Sequence, residues 1–318
     1  MKRIYLNLKR FDVPADSGGV NRIAAIAAWG AHIVDRTQDA LRAYPEAEFT
    51  VFFPEAHLIP AAAALSVAAL STAARSAAPS SAAALSPASV LRLGCQGVYR
   101  EDTSPGGNFG AFTTNMPASA AKALGCRAAL IGHFEERKDL NGILAEAGVA
   151  DERGAVGAGG AAAAAAVNRI LNKEIKCAQT RDMDVLYCIG ESADEQPRWE
   201  EILGAQLDIG LEGVDMQRTT IAYEPVWSIG PGKTPAGKDY IEKIARFIKA
   251  RFADKGLGDV PVVYGGGLKT DNAAMLASIP EIDGGLIALT RFSGEIGFYP
   301  EEYLQIVQTY LGAREGRK

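Results

Sequence analysis

Residues 221–235 read IAYEPVWSIGPGKTP. A short apolar run, residues 220–223, ends on a carboxylate, Glu224, and Pro225 follows at once. A glycine-rich stretch comes next, with Gly230 and Gly232, and then Lys233. In barrels built of alternating strands and helices, a carboxylate at the C-terminal end of a strand stands where the chemistry is placed. A glycine-rich loop beyond it can close over a ligand and turn backbone N–H groups toward an anion. As a pattern alone, the segment reads equally well as a strand-end acid paired with a neighbouring lysine.

Outward from that segment, short apolar runs alternate with longer helical patterns. Residues 4–8, 49–53 (FTVFF), 128–131, 185–189, 220–223, 260–264 and 285–289 read as buried strands. Residues 17–44, with Trp29 on the apolar face, and residues 240–252, 271–277 and 300–311 read as helices. Continuous apolar strands between helices predict a parallel sheet covered on its outside. Over this length the repeat predicts either an open doubly wound sheet or a closed barrel. No GxGxxG follows the first strand, so nothing points to a dinucleotide site.

The 318 residues are 48% hydrophobic and 22% charged, ample for one large core or two small ones. A net charge of -5 gives no electrostatic reason to expect nucleic acid or an anionic membrane surface as partner. Cys95, Cys126, Cys177 and Cys188 are scattered, without a CxxC pair or a Cys/His metal spacing. They read as free thiols of a reducing cytoplasm. With His32, His57 and His133 far apart, a His-based metal site is not expected. The N-terminus, MKRIYLNLKRF, is too short and too charged for the apolar region of a signal peptide. Residues 58–74 are built of Ala and Ser with few large apolar groups, and Arg75 closes them. They read as a soluble helix rather than a lipid span. Three low-complexity segments, residues 61–90, 100–109 and 151–166, read as insertions: solvent-side helix extensions or loops.

Residues 221–235 closely resemble the catalytic-glutamate strand and lid loop of the triosephosphate isomerase family. Further segments fall in that family's order. Asn7-Leu8-Lys9 resembles its N-x-K, and Gly110-Ala111-Phe112-Thr113 the tip of its dimer loop. Gly132-His133-Phe134-Glu135-Glu136-Arg137 resembles its GHSERR, Cys188-Ile189-Gly190-Glu191 its CIGE, and Tyr264-Gly265-Gly266-Gly267 its YGGS. The resemblance spans nearly the whole chain. It implies a single (β/α)₈ barrel over residues 1–318 and an aldose–ketose isomerase interconverting dihydroxyacetone phosphate and glyceraldehyde 3-phosphate through an enediol. No metal or organic cofactor is implied.

The resemblance also implies roles. Glu224 is the base that removes a proton from the carbon next to a carbonyl. His133 is the electrophile, held neutral by a helix N-terminus, an arrangement that this family exemplifies. Lys9 supplies fixed positive charge, Glu135 holds Lys9 or its neighbours in place, and Asn7 helps orient the substrate. Taken alone, His133 reads as a packed strand-end histidine and Lys9 as a solvated surface lysine. Residues 225–234 form the lid that excludes water. Thr113 reaches toward Asn7 and Lys9 of a partner subunit, which implies a homodimer.

Departures from the family pattern cluster at the anion end. There the family holds the phosphate largely by backbone N–H groups: in the lid, at the serine of YGGS, and at a Gly-Gly after the last strand. Gly230 keeps the lid donor, and Gly267 replaces the serine but keeps its N–H. Ala288 and Leu289 stand where the Gly-Gly is expected, within Ile287-Ala288-Leu289-Thr290. Arg291 reads either as a guanidinium fork for an anion or as an ordinary surface arginine. Phe134 replaces the serine after the histidine, and Thr114-Asn115 replaces a Gly-Glu. Two alternatives therefore stand beside the triose reaction: isomerisation of another small phosphorylated ketose, such as a tetrulose phosphate, and a non-catalytic barrel.

Overall fold

The computed structural model describes residues 1–23, 25–75, 90–149, 158–229 and 233–315. Eight parallel strands close into a barrel in chain order: β1 (Lys2–Asn7), β2 (Ala47–Phe53), β3 (Leu91–Cys95), β4 (Ala128–Ile131), β5 (Asp184–Ile189), β6 (Thr219–Tyr223), β7 (Val262–Tyr264) and β8 (Gly284–Ile287). Closure runs through β1, where Tyr5 lies opposite Thr50 of β2 and Leu286 of β8. Of the two architectures compatible with the repeat, the closed one is adopted.

Side chains alternate across the strands. Tyr5, Phe52, Leu130, Leu186, Ala222 and Val263 fill the barrel interior. Their neighbours Ile4, Leu6, Val51, Phe53, Ile131 and Ile221 pack outward under the helices. Both faces are dry, so the strands read as unbroken apolar runs. Tyr5 and Phe52 stack with ring centres 5.9 Å apart. Gly94 of β3 makes room for them, since a Cβ there would stand 2.5 Å from the Phe52 ring. That accommodation hid β3 from sequence reading. LRLGC is interrupted by Gly94 and by Arg92, whose guanidinium pairs with Asp184.

The helices are α1 (Trp29–Leu41), α2 (Leu58–Arg75), α3 (Ala118–Ala123), α4 (Phe134–Glu146), α5 (Ala158–Thr180), α6 (Trp199–Gly210), α7 (Lys238–Asp254), α8 (Thr270–Ala277) and α9 (Pro300–Glu315). In α7, Ile241, Ile244, Ala245, Ile248 and Phe252 form the buried stripe. The helix expected over residues 17–44 is shorter, beginning only at Trp29, which is buried as the pattern required. Residues before it form a long loop with two single 3-10 turns. Turn chemistry overrides the periodicity there. Gly18 has φ +84°, a Cβ on Gly19 would overlap Val13 O, and Asn21 Oδ1 accepts the Ile23 N–H at 2.8 Å.

Two of the supposed insertions are partly wall. Residues 61–75 are the body of α2, with Ala61 and Leu65 in the core, and residues 158–166 open α5, with Ala163 buried. Small side chains let these helices lie close to the barrel, a reason for alanine that composition does not reveal. Residues 76–89 and 150–157 lie outside the described residues. Residues 100–109 are a mostly exposed loop. None of the described helices is long and apolar enough to cross a membrane.

Candidate active site at the strand C-termini

The chemically interesting side chains leave the barrel at one end. Asn7 is the last residue of β1, and Lys9 follows in a left-handed conformation, φ +42°. That geometry costs a non-glycine residue on the order of 1 kcal/mol, and hydrogen bonds hold it from both sides. The Lys9 N–H donates to Asn7 Oδ1 at 3.0 Å. Gln96 Nε2 donates to Lys9 O at 2.8 Å and to Asn7 Oδ1 at 3.3 Å. Gln96 was not singled out by sequence, because the strand it terminates was itself unrecognised. The turn sends Lys9 Nζ to 2.9 Å from Glu135 Oε1 and 5.1 Å from the centre of the Phe134 ring.

His133 follows β4 and caps α4. Its Nδ1 accepts the Glu135 N–H at 3.3 Å. The proton of the neutral ring is therefore on Nε2, which faces Glu224 Oε1 at 3.3 Å. Burial, reinforced by the Lys9 ammonium, pushes the imidazole down to about 4. Arg137 braces this turn, donating to Gly132 O (2.8 Å), Asn168 Oδ1 (2.8 Å) and Tyr187 Oη (2.9 Å).

Glu224 stands one residue beyond β6 and is 2% exposed. Its Oε2 accepts the Phe134 N–H at 3.0 Å. Burial pushes its carboxyl up to about 8, against the opposing pull of that N–H and of Lys9. The usual order of acidities is thus reversed, with a carboxyl that holds its proton more tightly than the adjacent imidazole. Such separation of neighbouring groups is a signature of acid–base sites.

Beside this pair, fully buried Glu191 accepts three hydrogen bonds at Oε1: from Tyr223 Oη (2.9 Å), Trp227 Nε1 (2.8 Å) and Tyr240 Oη (3.1 Å). The Trp227 bond ties the segment leaving Glu224 to the loop after β5. Trp227→Phe keeps the ring and removes only the donor. It is expected to shift kcat and KM together, by about three- to tenfold, in steady-state assays. Unchanged constants would show that this tie does not govern the segment.

Under the His133 turn, half-buried Glu136 and buried Glu174 share a hydrogen bond. Burial, with Glu136 as an acidic neighbour, pushes Glu174 up to about 10. The folded protein therefore keeps a proton that the unfolded chain releases above the ordinary carboxyl range. Stability falls as pH rises above the ordinary carboxyl range, because the unfolded chain gives up a proton that the fold retains. Glu174→Gln is expected to flatten that fall and to raise stability near pH 8 by about 1–2 kcal/mol, read as the Tm across a pH series.

At the anion end, Gly267 lies beyond β7 with φ +92°, a conformation that strains an L side chain. β8 ends at Ile287, two residues earlier than expected, and half-buried Ala288 and Leu289 lie beyond it. Gly230 lies outside the described residues. Arg291 pairs with Glu302 and stacks over Tyr299 at 3.9 Å. Its guanidinium is committed toward α9, so the anion-fork alternative is not adopted. Thr113 and Phe109 stand exposed on the loop between β3 and α3, Phe109 at 87%. Asp102 pins that loop's base, accepting from the Ser119 N–H (3.1 Å) and from the Arg181 guanidinium.

A closed eight-strand barrel with a buried carboxyl and a neutral imidazole 3.3 Å apart at its mouth defines a (β/α)₈-barrel enzyme. The triosephosphate isomerase family model matches residues 32–155 and 160–308. The chain is 33% identical over 233 residues to the triosephosphate isomerase of Halorhodospira halophila, covering 70% of this chain and 78% of that one. It is 29% identical over 230 residues to that of Chloroherpeton thalassium, covering 70% and 77%. The crystal structure of triosephosphate isomerase from Bartonella henselae superposes with a TM-score of 0.64 at 18% identity, covering 98% of this chain and 99% of that one, a likeness of fold. The chain belongs to the triosephosphate isomerase family.

Proposed function

We propose that this protein interconverts dihydroxyacetone phosphate and glyceraldehyde 3-phosphate. The observation that supports this best is the reversed pair, Glu224 Oε1 at 3.3 Å from His133 Nε2. Ionised Glu224 takes a proton from the carbon beside the carbonyl, and the electron pair moves to the carbonyl oxygen. The neutral His133 Nε2–H donates to that developing oxyanion, and the Lys9 ammonium stabilises its charge. A proton then passes from the adjacent hydroxyl to that oxyanion, and Glu224 returns its own proton to the former carbonyl carbon as the adjacent oxygen forms the new carbonyl, which completes an isomerisation with no net change in atoms or charge. Asn7 and Gln96 hold Lys9 in place. The N–H groups of Gly230, Gly267, Ala288 and Leu289 are assigned to the phosphate.

A coupled assay on glyceraldehyde 3-phosphate, with Glu224→Gln as control, tests the reading. Turnover lost in the variant supports it. Absence of turnover by the folded wild-type protein would sink it. A second reading, a larger phosphorylated ketose, is favoured by one observation: residues 290–299 form a hairpin-like rim beyond β8, bridged between Arg291 and Gly297. Better turnover of a tetrulose phosphate than of the triose would select it.

The exposed tip with Phe109 and Thr113 fits a homodimer of one-domain subunits in which each tip enters its partner's mouth. Light scattering at twice the chain's 33.5 kDa would support that assembly. A cytoplasmic location accords with four free cysteines.

A further inference from the structure

The loops after β7 and β8 meet at the barrel mouth, and Leu268 joins them, donating its N–H to Leu286 O at 3.0 Å. Asn272 fixes the turn before α8 from two sides. Its Oδ1 accepts the Lys269 N–H at 2.8 Å, and its Nδ2 donates to Gly267 O at 2.9 Å. The N–H groups of Gly267, Ala288 and Leu289 find no acceptor among the described residues. A half-buried patch of unused donors is where an anion is held.

Lys269 lies against this patch. Its side chain folds back over the turn, so that Cε is 3.6 Å from the place a Cβ on Gly267 would occupy. Its ammonium rests 3.8 Å from the centre of the Phe292 ring. Phe292 belongs to the rim of residues 290–299, which the long first loop braces. Arg22 donates to Ile296 O at 2.9 Å, and Tyr299 N–H to Thr290 Oγ1 at 2.9 Å. The two nearby cations therefore differ. Arg291 is neutralised by Glu302, whereas the carboxylate acting on Lys269 is that of Asp271, at a distance and without an ion pair among the described residues. A cation resting on an aromatic face at an exposed mouth is held by only about 0.5–1 kcal/mol. A phosphoryl dianion competes easily with such a contact through charge-assisted hydrogen bonds.

We propose that Lys269 is a direct ligand of the substrate's phosphoryl group, a side-chain cation added to the backbone donors of Gly267, Ala288 and Leu289, with Phe292 as its resting place. The proposal rests on the isomerase reading for the identity of the substrate. The binding it asserts is measurable without turnover. The experiment compares wild type, Lys269→Met and Lys269→Arg by calorimetric titration with inorganic phosphate, beside KM and kcat for glyceraldehyde 3-phosphate. Lys269→Met is expected to weaken phosphate binding at least tenfold and to raise KM by a similar factor, with kcat changed less than threefold. Lys269→Arg is expected to recover most of the phosphate affinity, which a merely structural role would not allow. Melting curves establish that each variant is folded, and Lys269→Gln replaces Lys269→Met should the latter fail to fold. Equal phosphate affinity in wild type and folded Lys269→Met would overturn the proposal, as would failure of wild type to bind phosphate. Lys269-dependent phosphate binding without isomerase activity would uphold the ligand and remove the isomerase reading.

Discussion

Glu224→Gln is expected to lower kcat on glyceraldehyde 3-phosphate by roughly a thousand-fold, with a folded protein of nearly unchanged Tm at neutral pH. The side chain keeps its shape, and its amide oxygen can still accept the Phe134 N–H that Glu224 Oε2 accepts at 3.0 Å. What disappears is the group that exchanges a proton with carbon. The same residue sets the pH profile. A base works only when deprotonated, and burial pushes this one up to about 8. In wild type, kcat/KM is therefore expected to rise with pH through about 8 and to fall roughly tenfold per unit well below it. His133, pushed down to about 4, stays neutral across that range and contributes no inflection near pH 6–7. A profile flat from pH 6 to 9 would show that Glu224 is not the titrating base.

His133→Asn is expected to lower kcat by about a hundred- to a thousand-fold, with a smaller change in KM. The oxyanion forms only as the proton leaves, so a donor aimed at it acts on the barrier more than on the bound ground state. The choice of asparagine separates two duties of this residue. His133 Nδ1 also caps α4 through the Glu135 N–H, and asparagine is a good N-cap. Stability is therefore expected to hold within about 0.5 kcal/mol for asparagine and to fall by about 1 kcal/mol for alanine, read by denaturant titration. A large loss of stability in His133→Asn would mean that the ring acts chiefly as packing.

Much of the barrel was legible in the chain because its strands are dry on both faces. FTVFF at residues 49–53 and the run at residues 128–131 coincide with β2 and β4 to within two residues. β3 was illegible for a tertiary reason: Gly94 is required by the Phe52 ring on the neighbouring strand. The alanine-rich segments misled in the opposite direction. Their composition resembles filler, yet α2 and α5 use it to cover the barrel. In the first loop, Gly18, Gly19 and Asn21 broke a helix that periodicity alone carried through.

By itself, then, the sequence determined the alternation of strand and helix, the placement of Asn7, Lys9, His133 and Glu224 at or just beyond strand ends, and the family these motifs identify. Periodicity and local chemistry act over a few residues, and that is enough for each of those. Tertiary structure alone decided that the sheet closes, since closure requires β1 to meet β8 across some 280 residues. It alone reversed the acidities of Glu224 and His133, because desolvation depends on what surrounds a group in space. And it alone distinguished Arg291, neutralised by Glu302, from Lys269, left without an ion pair among the described residues beside unused backbone donors. Charge available to a ligand is a property of pairing, and pairing is settled only when distant segments fold together.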